Sequence, residues 1–325
     1  MLSGKILATV AAATAFFFST AFPATADVVL YSSNQPELLD MVGKGFEQAT
    51  GIQVTTVRLG TSAAVKRIAA EKNNPLADIF WSGDIAVLDA AKDNFAPYDS
   101  PEAQQLPPGC IDPEKRWTAS NTQLMVLMVN TRLVKPADMP KSWSDILDPK
   151  WKDKVVMADP TKSGSAYAQL FGVYQIYGLD GLTGLANNAR ILDSSSLVYK
   201  GTAEGGFPVG ITMEYAAYRY IAGGSGAVKI VYPSDGTISA PEGAALVAGS
   251  AHPQEARAFF DYLLSRQTVS EIFRKFYRRP ARTDADDVEG LPSINTLKIV
   301  QNNPAEANRM QKELLGKWRE VVLNK

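Results

Sequence analysis

The chain has 325 residues, of which 46% are hydrophobic and 21% charged, a globular composition that excludes collagenous, disordered and multi-span membrane chains. Its 33 Lys and Arg balance 34 Asp and Glu, so the charge gives no sign of a nucleic-acid or membrane-surface partner, whose phosphates require a basic excess. A single cysteine (Cys110) and a single histidine (His252) exclude an intramolecular disulfide and argue against a His/Cys zinc site or a His-dependent triad.

Residues Met1–Ala26 read as a secretory signal peptide. Lys5 gives the positive start, Ile6 to Phe22 are almost all apolar or small, and Ala24-Thr25-Ala26 forms an A-x-A cleavage site before Asp27. The apolar run is short for a spanning helix, which takes about 20 residues. An exported, periplasmic product cleaved after Ala26 is expected. Cys110 follows Pro107-Pro108-Gly109 in a predicted loop and is given no role.

An α/β rhythm follows. Val28 to Tyr31 is a short strand, Ser32-Ser33-Asn34-Gln35-Pro36 a loop, and Glu37 to Thr50 an amphipathic helix ended by Gly51. Ile52 to Leu59 is the next strand, Gly60-Thr61-Ser62 its loop, Ala63 to Asn73 a helix, and Asp78 to Trp81 a third strand. Alternation of this kind implies a parallel sheet with helices on its faces, and ligands then bind beyond the carboxyl ends of the strands. An irregular, Pro-rich stretch leads to the apolar run Thr122–Asn130, a buried strand. A second unit begins with the strand Val155–Met157, the loop Asp159–Ser165 and a helix from Ala166 to Tyr177. Strands at Val209–Thr212, Val228–Tyr232 and Ala244–Val247 follow, with helices at Glu214–Gly223, Pro253–Leu264, Val269–Phe276 and Pro304–Val322.

The loop Asp159-Pro160-Thr161-Lys162-Ser163-Gly164-Ser165 carries the most chemistry. A helix start offers unpaired N–H groups and the positive end of a dipole, so it attracts anions. Gly164 lets the backbone approach closely, Ser163 and Ser165 add hydroxyls and Lys162 adds charge. Plain helix capping is the competing reading. Ser32-Ser33-Asn34 and Gly60-Thr61-Ser62 occupy equivalent loops, and together the three suggest a cleft lined by donors. Ser194-Ser195-Ser196 is either a flexible turn or further lining. Glu214 and Tyr215 open a helix, where a carboxylate either complements the dipole or accepts from ligand hydroxyls or an ammonium. Trp81, beside Ser82-Gly83-Asp84, is either a core aromatic or a stacking platform for a ligand ring. No G-x-S-x-G elbow and no P-loop occurs.

The mature chain resembles, over essentially its whole length, the periplasmic solute-binding proteins of ABC importers. The resemblance lies in the strand-Tyr-Ser-Ser opening, Pro75-Leu76-Ala77-Asp78-Ile79-Phe80-Trp81, Asp148-Pro149-Lys150-Trp151-Lys152, Thr161-Lys162-Ser163-Gly164-Ser165 and Val209-Gly210-Ile211-Thr212-Met213-Glu214-Tyr215. It is similar in particular to the cluster of ferric-iron, sugar-phosphate and phosphonate binders. The resemblance implies a two-lobed α/β fold of type II with the ligand cleft between lobes joined by crossing strands. It implies closure on binding, no cofactor, a monomer, and an inner-membrane permease as partner. The lobes are expected at 27–118 with 236–280 and at 119–235 with 281–325, with crossing strands near Thr118–Gln123 and Gly236–Glu242.

The four ferric-ligand positions of that family match Gln35, Gly83, Glu214 and Tyr215 here, which keeps one tyrosine and a displaced carboxylate. Its anion-holding Ser-Gly-Ala helix start matches Ser163-Gly164-Ser165. Loss of the metal ligands with retention of the anion cradle implies a small organophosphate, a sugar phosphate first and a phosphonate second. Phosphate would then rest on Ser163, Gly164 and Ser165, with Thr61 and Ser62 across the cleft, while Asp84 and Glu214 face hydroxyls or an amine and Trp81 covers a ring. A ferric-iron protein using Tyr215 and Glu214 is the alternative. A secreted phosphate-ester hydrolase is the distant one, for want of a base or metal pair.

Overall fold

The computed structural model describes residues 27–285 and 287–325; the signal-peptide reading of Met1–Ala26 lies outside them. The first unit comprises β1 (Val28–Ser32), α1 (Pro36–Thr50), β2 (Val54–Arg58), α2 (Thr61–Ala70), β3 (Ile79–Asp84), α3 (Ile85–Ala90) and β4 (Phe95–Ala96). The long strand β5 (Thr118–Asn130) leads out of it. The second unit comprises α4 (Trp143–Leu147), β6 (Val155–Ala158), α5 (Gly164–Asn188), β7 (Ala189–Leu192), α6 (Ser195–Glu204), β8 (Val209–Met213), α7 (Glu214–Ala222) and β9 (Val228–Val231). A second long strand, β10 (Thr237–Val247), leads back. Then come α8 (Pro253–Leu264), α9 (Arg266–Phe276), β11 (Arg279–Pro280), β12 (Ile299–Gln301) and α10 (Pro304–Leu323).

One hydrogen-bonded path runs β2-β1-β3-β10-β5-β8-β6-β7. Strands β1, β2 and β3 are mutually parallel, as are β6, β7 and β8, whereas β5 and β10 run antiparallel to each other and to β8 and β3 beside them. The sheet is therefore two parallel halves joined by two crossing strands, and it forms the two lobes. Leu124 to Val129 of β5 are all buried, which is why they read as an unbroken apolar run rather than an alternating one.

Two apolar clusters fill the first lobe, one joining Phe46, Trp81, Phe259 and Leu263 and the other Tyr31, Phe80, Phe95 and Trp117. Another large cluster fills the second lobe around Trp143, Val156, Phe171 and Ile211, and α10 closes it with Met310, Leu314 and Trp318.

Several elements depart from the expectations. Helix α5 breaks at its expected end, after Tyr177, because Gly178 takes the non-helical φ 63° and ψ −151°, and an unexpected second helical stretch beyond it runs on to Asn188. Strand β10 runs from Thr237 to Val247 without a break, so the crossing strand expected near Gly236–Glu242 and the strand expected at Ala244–Val247 are one element, whose small and polar residues are buried between β3 and β5. Helix α6 and strand β7 occupy a stretch from which only the serine cluster is readable.

Candidate functional site

The carboxyl ends of β1, β2, β3, β6, β7 and β8 each lead into a helix, and all of them open on one cavity of about 280 Å³. The first lobe contributes Ser33, Gln35, Arg58, Gly60, Thr61, Ser82 and Asp84. The second contributes Lys162 to Ser165, Asp193 to Ser196, Tyr199, Met213 and Tyr215. Gln123 of β5, Glu242 of β10 and Arg278, after α9, complete the lining.

The anion-attracting part is built from helix starts. Helices α2 and α6 have no side-chain cap, so the N–H groups of their first turns stay available to a ligand. At α5 the Ser163 hydroxyl accepts from the Ala166 N–H at 3.3 Å. It lies 3.1 Å from the Ser165 hydroxyl and 2.9 Å from that of Ser195, which is itself 2.9 Å from Ser165. Three hydroxyls at two helix starts thus share one corner. The lobes meet there: a methyl group added at Gly164 would stand 3.7 Å from Asp84 Cβ and 3.9 Å from Thr61 Cγ2.

On the facing wall the Ser33 hydroxyl is 2.8 Å from both the carbonyl and the hydroxyl oxygen of Ser82, and 3.2 Å from the Thr61 hydroxyl. Ser82 holds φ 87°, a left-handed conformation that costs a non-glycine residue about 1–3 kcal/mol and collects at functional sites. Ser82→Gly is expected to keep stability within about 1 kcal/mol, strain relief offsetting the lost hydroxyl contact. The β-branched Ser82→Val should lose about 2 kcal/mol or more in urea unfolding.

The crossing strands place charge in the cavity. Arg278 donates to Glu242 at 2.7 Å and to the Tyr215 hydroxyl at 3.1 Å, with its guanidinium 4.1 Å from the Tyr215 ring centre. Its side chain is 5% exposed, and its buried Nε has no partner among the described residues. Such an unpaired donor costs about 1–3 kcal/mol until an acceptor arrives. Burial pushes the Asp84 carboxyl up to about 7; the Ala86 N–H pulls the other way, and the neighbouring Glu242 adds to the rise. Burial also raises the Tyr215 phenol.

Of the expected site residues, the structure brings Ser33, Thr61, Asp84, Ser163, Gly164, Ser165, Ser194, Ser195 and Tyr215 to this cavity. The others are corrected. Trp81 is 1% exposed in the first-lobe core and donates its indole N–H to Ser120 at 3.1 Å, so it cannot stack on a ligand. Glu214 is 2% exposed and held by Arg279 and Tyr232 behind the cavity wall, because the strand before it directs the carboxylate inward. Ser32 and Asn34 are buried, and the Ser32 hydroxyl accepts from the Asn34 N–H. Thr161 closes its own loop on Asp159, and Ser62 lies outside the lining. Sequence reasoning misses Arg278, Glu242 and Gln123, which belong to no motif and reach the cavity through long-range pairing, and Tyr199, which lies one turn after Ser195 on α6. His252 sits at the start of α8 with its Nδ1 3.2 Å from Asp78, away from the cavity. Burial pushes the Cys110 thiol up to about 11, which keeps it unreactive.

The sequence profile of the bacterial extracellular solute-binding protein family matches residues 74–308. The chain belongs to that family. As a solute-binding protein it is the capture component of an ABC importer. It is 27% identical over 273 residues, 79% of each chain, to the Fe(3+)-binding periplasmic protein of Serratia marcescens. It is 25% identical over 258 residues to a putative 2-aminoethylphosphonate-binding periplasmic protein of Salmonella typhimurium, covering 74% of this chain and 72% of that one. Its fold matches the periplasmic binding protein AfuA of Actinobacillus pleuropneumoniae with fructose 6-phosphate bound, at a TM-score of 0.85 and 25% identity over 91% of this chain and 98% of the other.

Proposed function

We propose that this solute-binding protein captures a small organophosphate, a sugar phosphate in preference, and delivers it from the periplasm to an inner-membrane permease. It does so as a monomer by lobe closure, without chemistry on the ligand, after cleavage of the leader at Ala26. The observation that carries the reading is the convergence of the α2, α5 and α6 starts on one cavity that also holds the buried guanidinium of Arg278. N–H groups, hydroxyls and one enclosed cation suit phosphoryl oxygens. The volume, about 280 Å³, suits a single small solute, since ligand pockets begin at about 300 Å³. The relative and the fold match named above for a phosphonate and for fructose 6-phosphate add support.

Ferric iron through Tyr215 and Glu214 has less support. Glu214 is already bound by two nitrogens of Arg279, and the Tyr215 phenol lies beneath the positive charge of Arg278, which opposes a trivalent cation.

A thermal-shift panel on chelator-stripped protein tests the reading, with ferric citrate, inorganic phosphate, hexose phosphates, glycerophosphate and 2-aminoethylphosphonate. A ligand at 100 times its Kd stabilises by about 2.7 kcal/mol, a rise of several degrees. The expected result is a shift with phosphorylated compounds, greatest for a hexose phosphate. A shift with ferric citrate alone would overturn the assignment.

A further inference from the structure

Asp84 and Glu242 are register partners in the antiparallel β3–β10 pair, and both line the cavity. Only one of them has a cation. Arg278 pairs with Glu242 at 2.7 Å, whereas Asp84 accepts from the Ala86 N–H at 2.9 Å and makes no ion pair among the described residues. The other groups around Asp84 do not supply one. Helix α5 brings Tyr167, whose phenol is raised by burial and by Asp84 itself. Helix α7 brings Tyr215, and α2 presents Gly60 and Thr61, neither of which titrates. Lys162, at the start of α5, is exposed and paired with Asp193, and Arg58, at the end of β2, is exposed at the cavity with its Nε donating to the Asn34 carbonyl at 3.1 Å.

We infer that Asp84 and Glu242 form the subsite that reads the ligand's non-phosphoryl end, and that they read hydroxyl groups, Asp84 donating as the neutral acid and Glu242 accepting as the carboxylate. The inference rests on the organophosphate reading above. Two carboxylates facing each other across one strand pair, with Arg278 as their one directly paired cation, do not both ionise cheaply, and a phosphoryl group entering the same cavity adds further negative charge. A hydroxyl both donates and accepts, so it satisfies an acid beside a carboxylate. An ammonium only donates, so it leaves the O–H of a protonated Asp84 without an acceptor on the ligand, and it meets like charge at Arg278. Burial already holds Asp84 up to about 7 in the free cavity.

The consequence is proton uptake on binding. Because the bound state raises Asp84 further, affinity is full below the free value of about 7 and falls as pH rises above it. If only the acid form binds, affinity drops about fifteenfold between pH 7 and pH 8.5. The phosphate ester stays mostly dianionic over that range, its second pKa lying near about 6.

Titration calorimetry at pH 8 in two buffers of different ionisation enthalpy decides the matter, with fructose 6-phosphate and 2-aminoethylphosphonate as probes. The expected result is uptake of about one proton with fructose 6-phosphate, which also binds more tightly than the aminophosphonate. Asp84→Asn keeps a neutral donor, so it should abolish the uptake and flatten the pH profile. Binding of fructose 6-phosphate without uptake, unchanged uptake in Asp84→Asn, or tighter aminophosphonate binding with proton release would each overturn the subsite and leave the organophosphate reading standing. No binding of any phosphorylated compound would overturn both. Should Asp84→Asn fail to fold, the wild-type pH profile suffices.

Discussion

Ser163→Asp is expected to abolish organophosphate binding while leaving the protein as stable as before, or slightly more so. Ser163 is the N-cap of α5 and its hydroxyl accepts from the Ala166 N–H. Aspartate is at least as good an N-cap and adds a favourable charge at the positive end of the helix. The same charge would stand at the corner shared with Ser165 and Ser195, where the phosphoryl group is proposed to rest. At about 4 Å and an effective dielectric constant of about 20, each like-charge contact costs about 4 kcal/mol, roughly a thousandfold in affinity. Calorimetric titration with a hexose phosphate, beside a thermal melt of the free protein, reads both effects. Unchanged affinity with an unchanged melt would remove the phosphoryl group from this corner. Ser163→Ala should behave differently, weakening the cap by about 1 kcal/mol and binding only modestly.

This expectation could be drawn from the local sequence, because Ser163-Gly164-Ser165 follows a strand and opens a helix, and that arrangement is local in the chain. The same holds for the apolar runs of β5 and β6 and for α1, where Pro36 and Gly51 mark the ends. What sequence cannot offer is direction at a fixed position. Trp81 and Asp84 belong to one strand, three residues apart, yet Trp81 points into the core and Asp84 into the cavity. Regular alternation puts residues three apart on opposite faces, but which of the two faces meets the cavity is decided by the long-range pairing of β3 with β10 and not by the strand itself. Arg278 is hidden for another reason. It follows the left-handed Tyr277 that ends α9, and it meets Glu242 and Tyr215 only because β11 pairs with the first part of β5. No spacing in the chain encodes that meeting. Its neighbour Arg279 looks identical in sequence but turns to the other side, into the pair with Glu214.

That pair carries the second large expectation. Arg279 donates to both carboxylate oxygens of Glu214, at 2.6 and 2.9 Å, and to the Pro292 carbonyl at 2.7 Å, while the Tyr232 hydroxyl donates to Glu214 at 2.7 Å. The side chains are 6% and 2% exposed. Glu214→Gln keeps the shape but leaves a buried guanidinium without its counter-charge, at a cost of about 3–5 kcal/mol. For a chain of this size that lowers Tm by roughly 5–8 °C. Arg279→Met should cost a similar amount by stranding the carboxylate. The double variant Glu214→Leu with Arg279→Met removes both charges and should recover most of the loss, because the desolvation of each ion vanishes with it. Binding gives the complementary readout. If Glu214 acts behind the wall, Glu214→Gln melts earlier but keeps the wild-type order of preference among phosphorylated ligands at low temperature. A changed order of preference with an unchanged melt would place Glu214 at the ligand after all. The distinction matters for the helix that Glu214 begins: α7 presents Tyr215 to the cavity and to Arg278. The Glu214–Arg279 pair therefore anchors the start of α7 to the segment that carries Arg278, fixing from behind two groups that face the ligand.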